Sequence, residues 1–244
     1  KPIRPNRRAL AVSQDRIIEK RFLNDLGLLT APWDAVNSAD DLRAAAEKLG
    51  LPAILKTARL GYDGKGQVKL DDDSQIGAAW AAMNNAPSVL EGFVAFDREI
   101  SVIAARGLDG SVACFDPGEN VHRDGILRTT TVPARLSPAL RSDAVLIAAR
   151  ILNALDYVGV MGVELFVTSQ GLLVNEIAPR VHNSGHWTQQ GCTVDQFEQH
   201  IRAVCGWPLG DPARHSDGQM LNLLGSEVDA WEQHLADGAK LHLY

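Results

Sequence analysis

Residues 159–178 read GVMGVELFVTSQGLLVNEIA. Two apolar runs flank the break Ser169-Gln170-Gly171, which has glycine last, where a short hairpin turn needs a left-handed residue. Gly159–Thr168 and Leu172–Ile177 are therefore predicted to be antiparallel strands. A three-residue loop pairs Thr168 with Leu172, Phe166 with Val174 and Glu164 with Glu176. The two carboxylates would then be cross-strand neighbours on one face, with Cβ atoms about 4.5–5.5 Å apart. Val163, Leu165, Val174 and Ile177 make their flanks apolar. Two like charges ~5 Å apart at an effective dielectric near 20 repel by roughly 3 kcal/mol. A bridging divalent cation removes that repulsion, and Mg²⁺ favours one or two carboxylates with substrate phosphates. A shared proton also removes it. So does plain solvation, or a basic partner such as Arg180.

Working outward, Pro52–Lys56 is a short apolar strand ending on a lysine, and Gln67–Leu70 returns as its hairpin partner. Between them, Gly61-Tyr62-Asp63-Gly64-Lys65-Gly66-Gln67 can turn its backbone N–H groups toward an anion, because glycine admits positive φ. The loop is not a Walker A motif, since Gly66 follows Lys65. A plain hairpin tip explains the glycines equally well. Beyond the carboxylate hairpin, Pro179-Arg180-Val181-His182-Asn183-Ser184-Gly185-His186-Trp187-Thr188 is dense in hydrogen-bonding groups. It would lie beside a metal, with Arg180 suited to a carboxylate or phosphate, or it is a turn satisfying its own backbone. His122-Arg123-Asp124-Gly125 is a second polar cluster, or an exposed turn.

The rest of the chain reads as mixed helices and strands without a strict βαβ rhythm, which points to α+β layers. Ser13 is the expected N-cap of a helix through Ile17, Ile18, Leu23 and Leu26 that stops at Gly27, and Ser38 caps a second helix ending at Gly50. Helices are expected over 74–84, 137–155 and 193–205, and strands over 88–91, 99–106 and 111–115, with a boundary near Ala86-Pro87. At 244 residues, 45% hydrophobic and 22% charged, the chain suits one large domain or two closely joined ones. The net charge of −6 without a basic block disfavours nucleic acid as a partner. No apolar run approaches the ~20 residues a bilayer requires. Lys1-Pro2-Ile3-Arg4 lacks signal-peptide character, so a cytoplasmic location is expected. The widely spaced Cys114, Cys192 and Cys205 form no C-x-x-C pair and are expected as buried apolar residues in a reducing compartment.

The set Ile54-Leu55-Lys56, Gly61–Gln67, Glu91-Gly92-Phe93-Val94, Glu99, Gly162-Val163-Glu164 and Asn175-Glu176 resembles the ATP-grasp superfamily. The runs 30–33, 120–128 and 178–188 are similar to those of its 5-(carboxyamino)imidazole ribonucleotide synthetases, which join bicarbonate to 5-aminoimidazole ribonucleotide at the expense of ATP. The resemblance implies an α+β ATP-grasp fold with two α+β subdomains sandwiching the nucleotide. Residues 1–86 would form the small subdomain and its glycine-rich lid, 87–225 the large subdomain with the metal site, and 226–244 the start of a truncated C-terminal segment. The family's N-terminal nucleotide-fold domain would lie outside this chain. The resemblance further implies ATP and Mg²⁺ as cofactors. It puts Lys56, Gly61, Tyr62, Asp63, Gly64, Lys65, Gly66 and Gln67 on the phosphates. Glu91, Gly92, Phe93, Val94, Glu99, His122, Asn175 and Glu176 would complete the ATP site, with Glu164 and Glu176 on the metal. Tyr62, Asp63, Lys65, Asp124 and Arg180 would face the ribonucleotide, and Arg180, His182, Asn183 and Ser184 the bicarbonate and transferred phosphate. A homodimer is compatible with this reading, and neither nucleic acid nor membrane is a partner. Another ATP-grasp carboxylate ligase, or an inactive ATP-binding fragment, remains an alternative.

Overall fold

In the computed structural model, which describes residues 2–61 and 66–242, hydrophobic alternation and helix caps sort the chain into two antiparallel sheets. The first joins β1 (Trp33–Val36), β2 (Ala53–Thr57), β3 (Gln67–Leu70) and β4 (Ser88–Gly92) in the order β1-β4-β2-β3. Helices α3 (Ala39–Leu49) and α4 (Ile76–Ala82) bury Leu42, Ala45, Ala46, Ile76 and Ala79 against Val36, Leu55, Leu70 and Leu90 of this sheet. Ser38 caps α3 as expected, its side chain accepting from Asp41 N at 3.0 Å.

The second sheet runs β10-β9-β5-β7-β8-β11, with β6 also paired to β5. Its strands are β5 (Arg98–Arg106), β6 (Val112–Cys114), β7 (Gly118–Arg123), β8 (Ile126–Val132), β9 (Gly159–Thr168), β10 (Gly171–Ala178) and β11 (Gly218–Leu221). On one face Ile100, Val102, Val163, Leu165 and Val167 pack with α1 (Arg7–Ser13), α2 (Arg16–Asp25) and α5 (Pro138–Ala154). The opposite face changes character along the strands. Ile103, Ala105 and Val160 form an apolar cluster with Phe115, Val132 and Trp187. Farther along the same face stand Glu164, Ser101, Glu99 and Asn120, all in register. A face that must be buried at one end and polar at the other marks where a ligand belongs. Beyond it come α6 (Thr188–Gly191), α7 (Gln196–Cys205) and α8 (Trp231–Ala236). No helix among the described residues is long and apolar enough to cross a membrane.

Several expectations are corrected. Ser13 is the last residue of α1, and the N-cap of α2 is Asp15, whose carboxylate accepts from Ile17 N and Ile18 N. Strands β7, β8 and β11 were not foreseen: Thr, Asn and His hide the alternation in β7 and β8, and the four residues Gly-Gln-Met-Leu of β11 are too few to show one. The boundary near Ala86-Pro87 precedes a strand of the first sheet, so the two sheets part only after Gly92. Cys205, at the outer end of α7, is exposed rather than buried. In the carboxylate hairpin the turn is one residue tighter than expected. Thr168 pairs with Gly171 and Phe166 with Leu173, and a β-bulge between Val174 and Glu176 restores the pairing of Glu164 with Glu176.

Candidate active site

The bulge decides the donor set. A bulged strand offers two residues opposite one and can re-aim a side chain. Asn175 and Glu176 both lie across from Glu164, with Asn175 Nδ2 3.4 Å from Glu164 Oε2. Burial, reinforced by the Glu176 anion, pushes Glu164 up to about 7. Burial also pushes Glu176 upward, but Arg16 at 3.0 Å, with Lys56 behind it, outweighs this and holds it below the ordinary carboxylate range. The two glutamates are therefore treated unequally: Arg16 pairs with Glu176, whereas Glu164 is raised toward neutrality.

The cations come from the first sheet and from helix α2. Lys56, at the end of β2, donates to Glu91 Oε2 at 3.1 Å. Lys20 of α2 lies 3.2 Å from Glu91 Oε1. Burial disfavours the Glu91 anion, yet the two lysines more than offset it and keep its carboxyl below the usual range. The side chain of Glu91, a residue expected in the ATP site, lies between these two lysines. Buried Glu19 accepts from Ile177 N at 3.3 Å, and burial together with Glu176 drives its carboxyl well above the ordinary value.

The polar run after β10 is not a loose loop. A 3-10 turn at Asn183–Gly185 seats His182 and Ser184 below the surface. Gly162 makes room for this, since a Cβ there would lie 2.9 Å from His182 Cβ. Burial, with Arg180 nearby, lowers His182 to about 4, so the ring is neutral. His182 Nε2 stands 3.5 Å from Glu164 Oε1, and Nδ1 lies 2.8 Å from Ser184 Oγ, which accepts from Ser101 Oγ at 2.7 Å. His182 and Ser184 are both buried, His182 next to Glu164 and Ser184 linking His182 to Ser101. Arg180 is exposed at the mouth, bonded to Val181 O, and Asn183 Oδ1 accepts from Ser184 N.

Across the sheet, His122 Nδ1 lies 2.5 Å from Glu99 Oε2. Burial lowers the His122 value, but Glu99, aided by Glu164 and Glu176, overcomes this and raises it. A second bulge, between Val121 and His122, adjoins this pair. Asp124 occupies the exposed tip of the β7–β8 hairpin beside Gly125, both at positive φ, as a two-residue hairpin turn requires. Of the glycine loop, Gly66 at φ 72 bonds its carbonyl to Thr57 N at 2.8 Å, and Gln67 pairs with Lys56. Gly61 opens the loop, while Tyr62, Asp63, Gly64 and Lys65 lie outside the described residues. Gly92 N bonds to Pro32 O, Lys69 stands 5.4 Å over the exposed Phe93 ring, and Val94 follows in the crossing to the second sheet.

A family model described as ATP-grasp domain matches residues 21–197, from α2 into α7. The chain belongs to the ATP-grasp family. Within it, the chain is 56% identical to the N5-carboxyaminoimidazole ribonucleotide synthase of Brucella melitensis over 97% of its own length and 66% of that protein's. It is 45% identical to the same enzyme of Pseudomonas aeruginosa, over 100% of its own length and 67% of the relative's. The Aspergillus clavatus enzyme, solved with ADP and 5-aminoimidazole ribonucleotide, superposes with a TM-score of 0.89 at 29% identity, covering 96% of this chain and 64% of that one. The chain thus spans about two thirds of the length of the curated relatives it matches.

In the ATP-grasp frame, the donor chemistry fits Mg²⁺. Among the described residues no cluster of three or more His, Cys, Asp or Glu side chains could hold a metal alone. The oxygen donors of Glu164 and Glu176 are those of an ion that completes its shell with phosphate. The raised value of Glu164 reflects a missing positive charge that such an ion would supply. Sequence reasoning missed Arg16, Glu19 and Lys20. The available signal was their i, i+3, i+4 spacing, which puts them on one face of a helix whose apolar residues were read as the buried ones.

Proposed function

We propose that this chain carries the ATP-dependent step in which bicarbonate is joined to 5-aminoimidazole ribonucleotide, giving N5-carboxyaminoimidazole ribonucleotide. The observation that carries this reading is the facing Glu164–Glu176 pair, bordered by Arg16 and Lys56, in an ATP-grasp fold. Glu164 and Glu176 would hold Mg²⁺, which when bound supplies charge neutralisation at the phosphates. Arg16 and Lys56 face the same space and suit phosphate oxygens. Glu99, His122 and the 92–94 crossing would border the nucleoside. A bicarbonate oxygen attacks the terminal phosphorus, the bond to ADP breaks, and carboxyphosphate forms. The ribonucleotide amine then attacks the carboxyl carbon, phosphate leaves, and the amine gives up a proton. Both displacements depend chiefly on positioning and on charge at fixed sites. Arg180, exposed at the mouth, is placed to hold the carboxylate-bearing partner. His182, Ser184 and Ser101 keep Glu164 oriented throughout. The glycine loop over 61–67 is the segment that would exclude water from an intermediate that hydrolyses readily. Free nucleotide substrates fit the cytoplasmic location expected from the sequence.

The test is ADP release in the presence of ATP and Mg²⁺, with bicarbonate and 5-aminoimidazole ribonucleotide added singly and together. Turnover is expected only with both, and Glu176→Gln should reduce it by ~100-fold or more, as for loss of an electrostatic group at a reacting phosphate. Formate-dependent release, or an unchanged rate in the variant, would remove this reading.

A further inference from the structure

One face of α2 touches both sheets. Arg16 reaches Glu176 on β10 at 3.0 Å, and Glu19 accepts from Ile177 N on the same strand. One residue on, Lys20 turns to Glu91 of β4 at 3.2 Å. Lys20 is 2% exposed, too deep to touch a ligand itself. Glu91 is 4% exposed and shares its second oxygen with Lys56, which stands nearer the carboxylate pair.

Two ammonium groups on one buried carboxylate is more than neutrality needs. A buried anion left without a cation is heavily penalised. If Lys56 were the only partner of Glu91, its turning toward a phosphate would strand that charge, and any phosphate would have to compete with Glu91 for the ammonium. With Lys20 in place, Glu91 keeps a counter-ion whichever way Lys56 points. Lys20 also sits close enough to Lys56 for their like charges to oppose each other, which favours Lys56 moving outward.

We infer that Lys20 is a positioning residue: it is the fixed counter-ion of Glu91 that leaves the Lys56 ammonium free for the phosphates of a nucleotide. This rests on the reading of Lys56 as a phosphate ligand given under Proposed function. Helix α2 is thereby more than a packing element. It balances charge on the first sheet through Lys20 and on the second through Arg16.

The experiment measures binding of two probes, ADP with Mg²⁺ and adenosine, by calorimetric titration of the unaltered chain and of Lys20→Met, Lys20→Arg and Lys56→Met. Lys20→Met is expected to weaken ADP by ~10-fold or more while adenosine stays within ~2-fold, because the effect travels through Lys56 to phosphate alone. Lys20→Arg, which keeps the charge, should hold ADP within ~3-fold of the unaltered chain. Equal weakening of both probes would mark Lys20 as merely structural, and unaltered ADP binding in Lys20→Met would remove the inference outright. The underlying site reading fails separately, if the unaltered chain does not bind ADP or Lys56→Met leaves ADP binding intact. Should Lys20→Met not fold, Lys20→Gln keeps a donor for Glu91 without the charge and is read in the same way.

Discussion

Glu164 concentrates the electrostatic tension of the site. Its value of about 7, against an ordinary 4.5, arises from burial first and the Glu176 anion second. A cation between the two glutamates requires the anion, so binding below pH 7 must expel the proton. The ligand-free chain holds that proton between 4.5 and about 7 and the liganded chain does not. Affinity for ADP with Mg²⁺ therefore rises with pH through this window and levels above it. His182, held near 4, stays neutral for most of the window and adds little slope. Calorimetry at pH 6 in buffers of different ionisation enthalpy should detect about one proton released per ADP bound, a release that disappears in Glu164→Gln. Comparison with that variant separates Glu164 from His122, whose value Glu99 raises. A flat pH profile with no proton release would contradict the metal assignment. That these two glutamates face each other was legible in the spacing of a single hairpin. Arg16 as the partner of Glu176 was not, because the two are far apart in sequence and only the packing of α2 against β10 brings them together.

At the scale of elements, the hairpin shows how a correct pairing can follow from an incorrect register. Counting from a three-residue turn gives Glu164 opposite Glu176. The actual turn is shorter, and the bulge at Asn175 compensates. Turn chemistry is written in local residues such as Gly171, whereas a bulge answers to what lies across the strand and leaves little local trace. Deleting Asn175 should give a regular ladder in which Val174 still faces Leu165 and Glu176 still faces Glu164, while the amide beside Glu164 is lost. The melting temperature should then change by only a few degrees, roughly the effect of ~1 kcal/mol, while affinity for ADP with Mg²⁺ falls by ~10-fold. Melting and titration of the same sample check this, and unchanged affinity would mean the bulge serves the fold alone. The misplaced cap of α2 has a comparable cause. Ser13 and Asp15 are both good caps, and only the presence of α1, ending at Ser13, leaves Asp15 as the start.

Across the whole molecule, length left one domain or two open, the resemblance implied two subdomains, and neither said how they would be joined. The first sheet has its own core under α3 and α4, separate from the larger core that α1, α2 and α5 close over the second sheet. Among the described residues the links across the gap include polar ones: the Lys20–Glu91 ion pair, Arg59 on Asp15 at 2.8 Å, Arg16 N bonded to Ala58 O at 2.9 Å, and Trp33 Nε1 donating to Asn24 Oδ1 at 2.8 Å. Polar links of this kind do not reveal themselves as hydrophobic periodicity, which is why the boundary was placed before β4 rather than after it. They also have a dynamic consequence. A smaller core buries less apolar surface and opens at lower free energy. Amides of β2 and β4 should therefore exchange with solvent through cheaper openings than those of β5 and β9 in the ligand-free chain. A nucleotide held by Lys56 on the first sheet and Glu164 on the second ties the two openings together, and stabilises by mass action only the state in which both are closed. Saturating ADP with Mg²⁺ should then raise protection in β2 and β4 more than in β5 and β9, by roughly 3 kcal/mol at a hundredfold excess over the dissociation constant. Hydrogen exchange read by mass spectrometry measures this, and equal gains in both sheets would show that they already open as one unit.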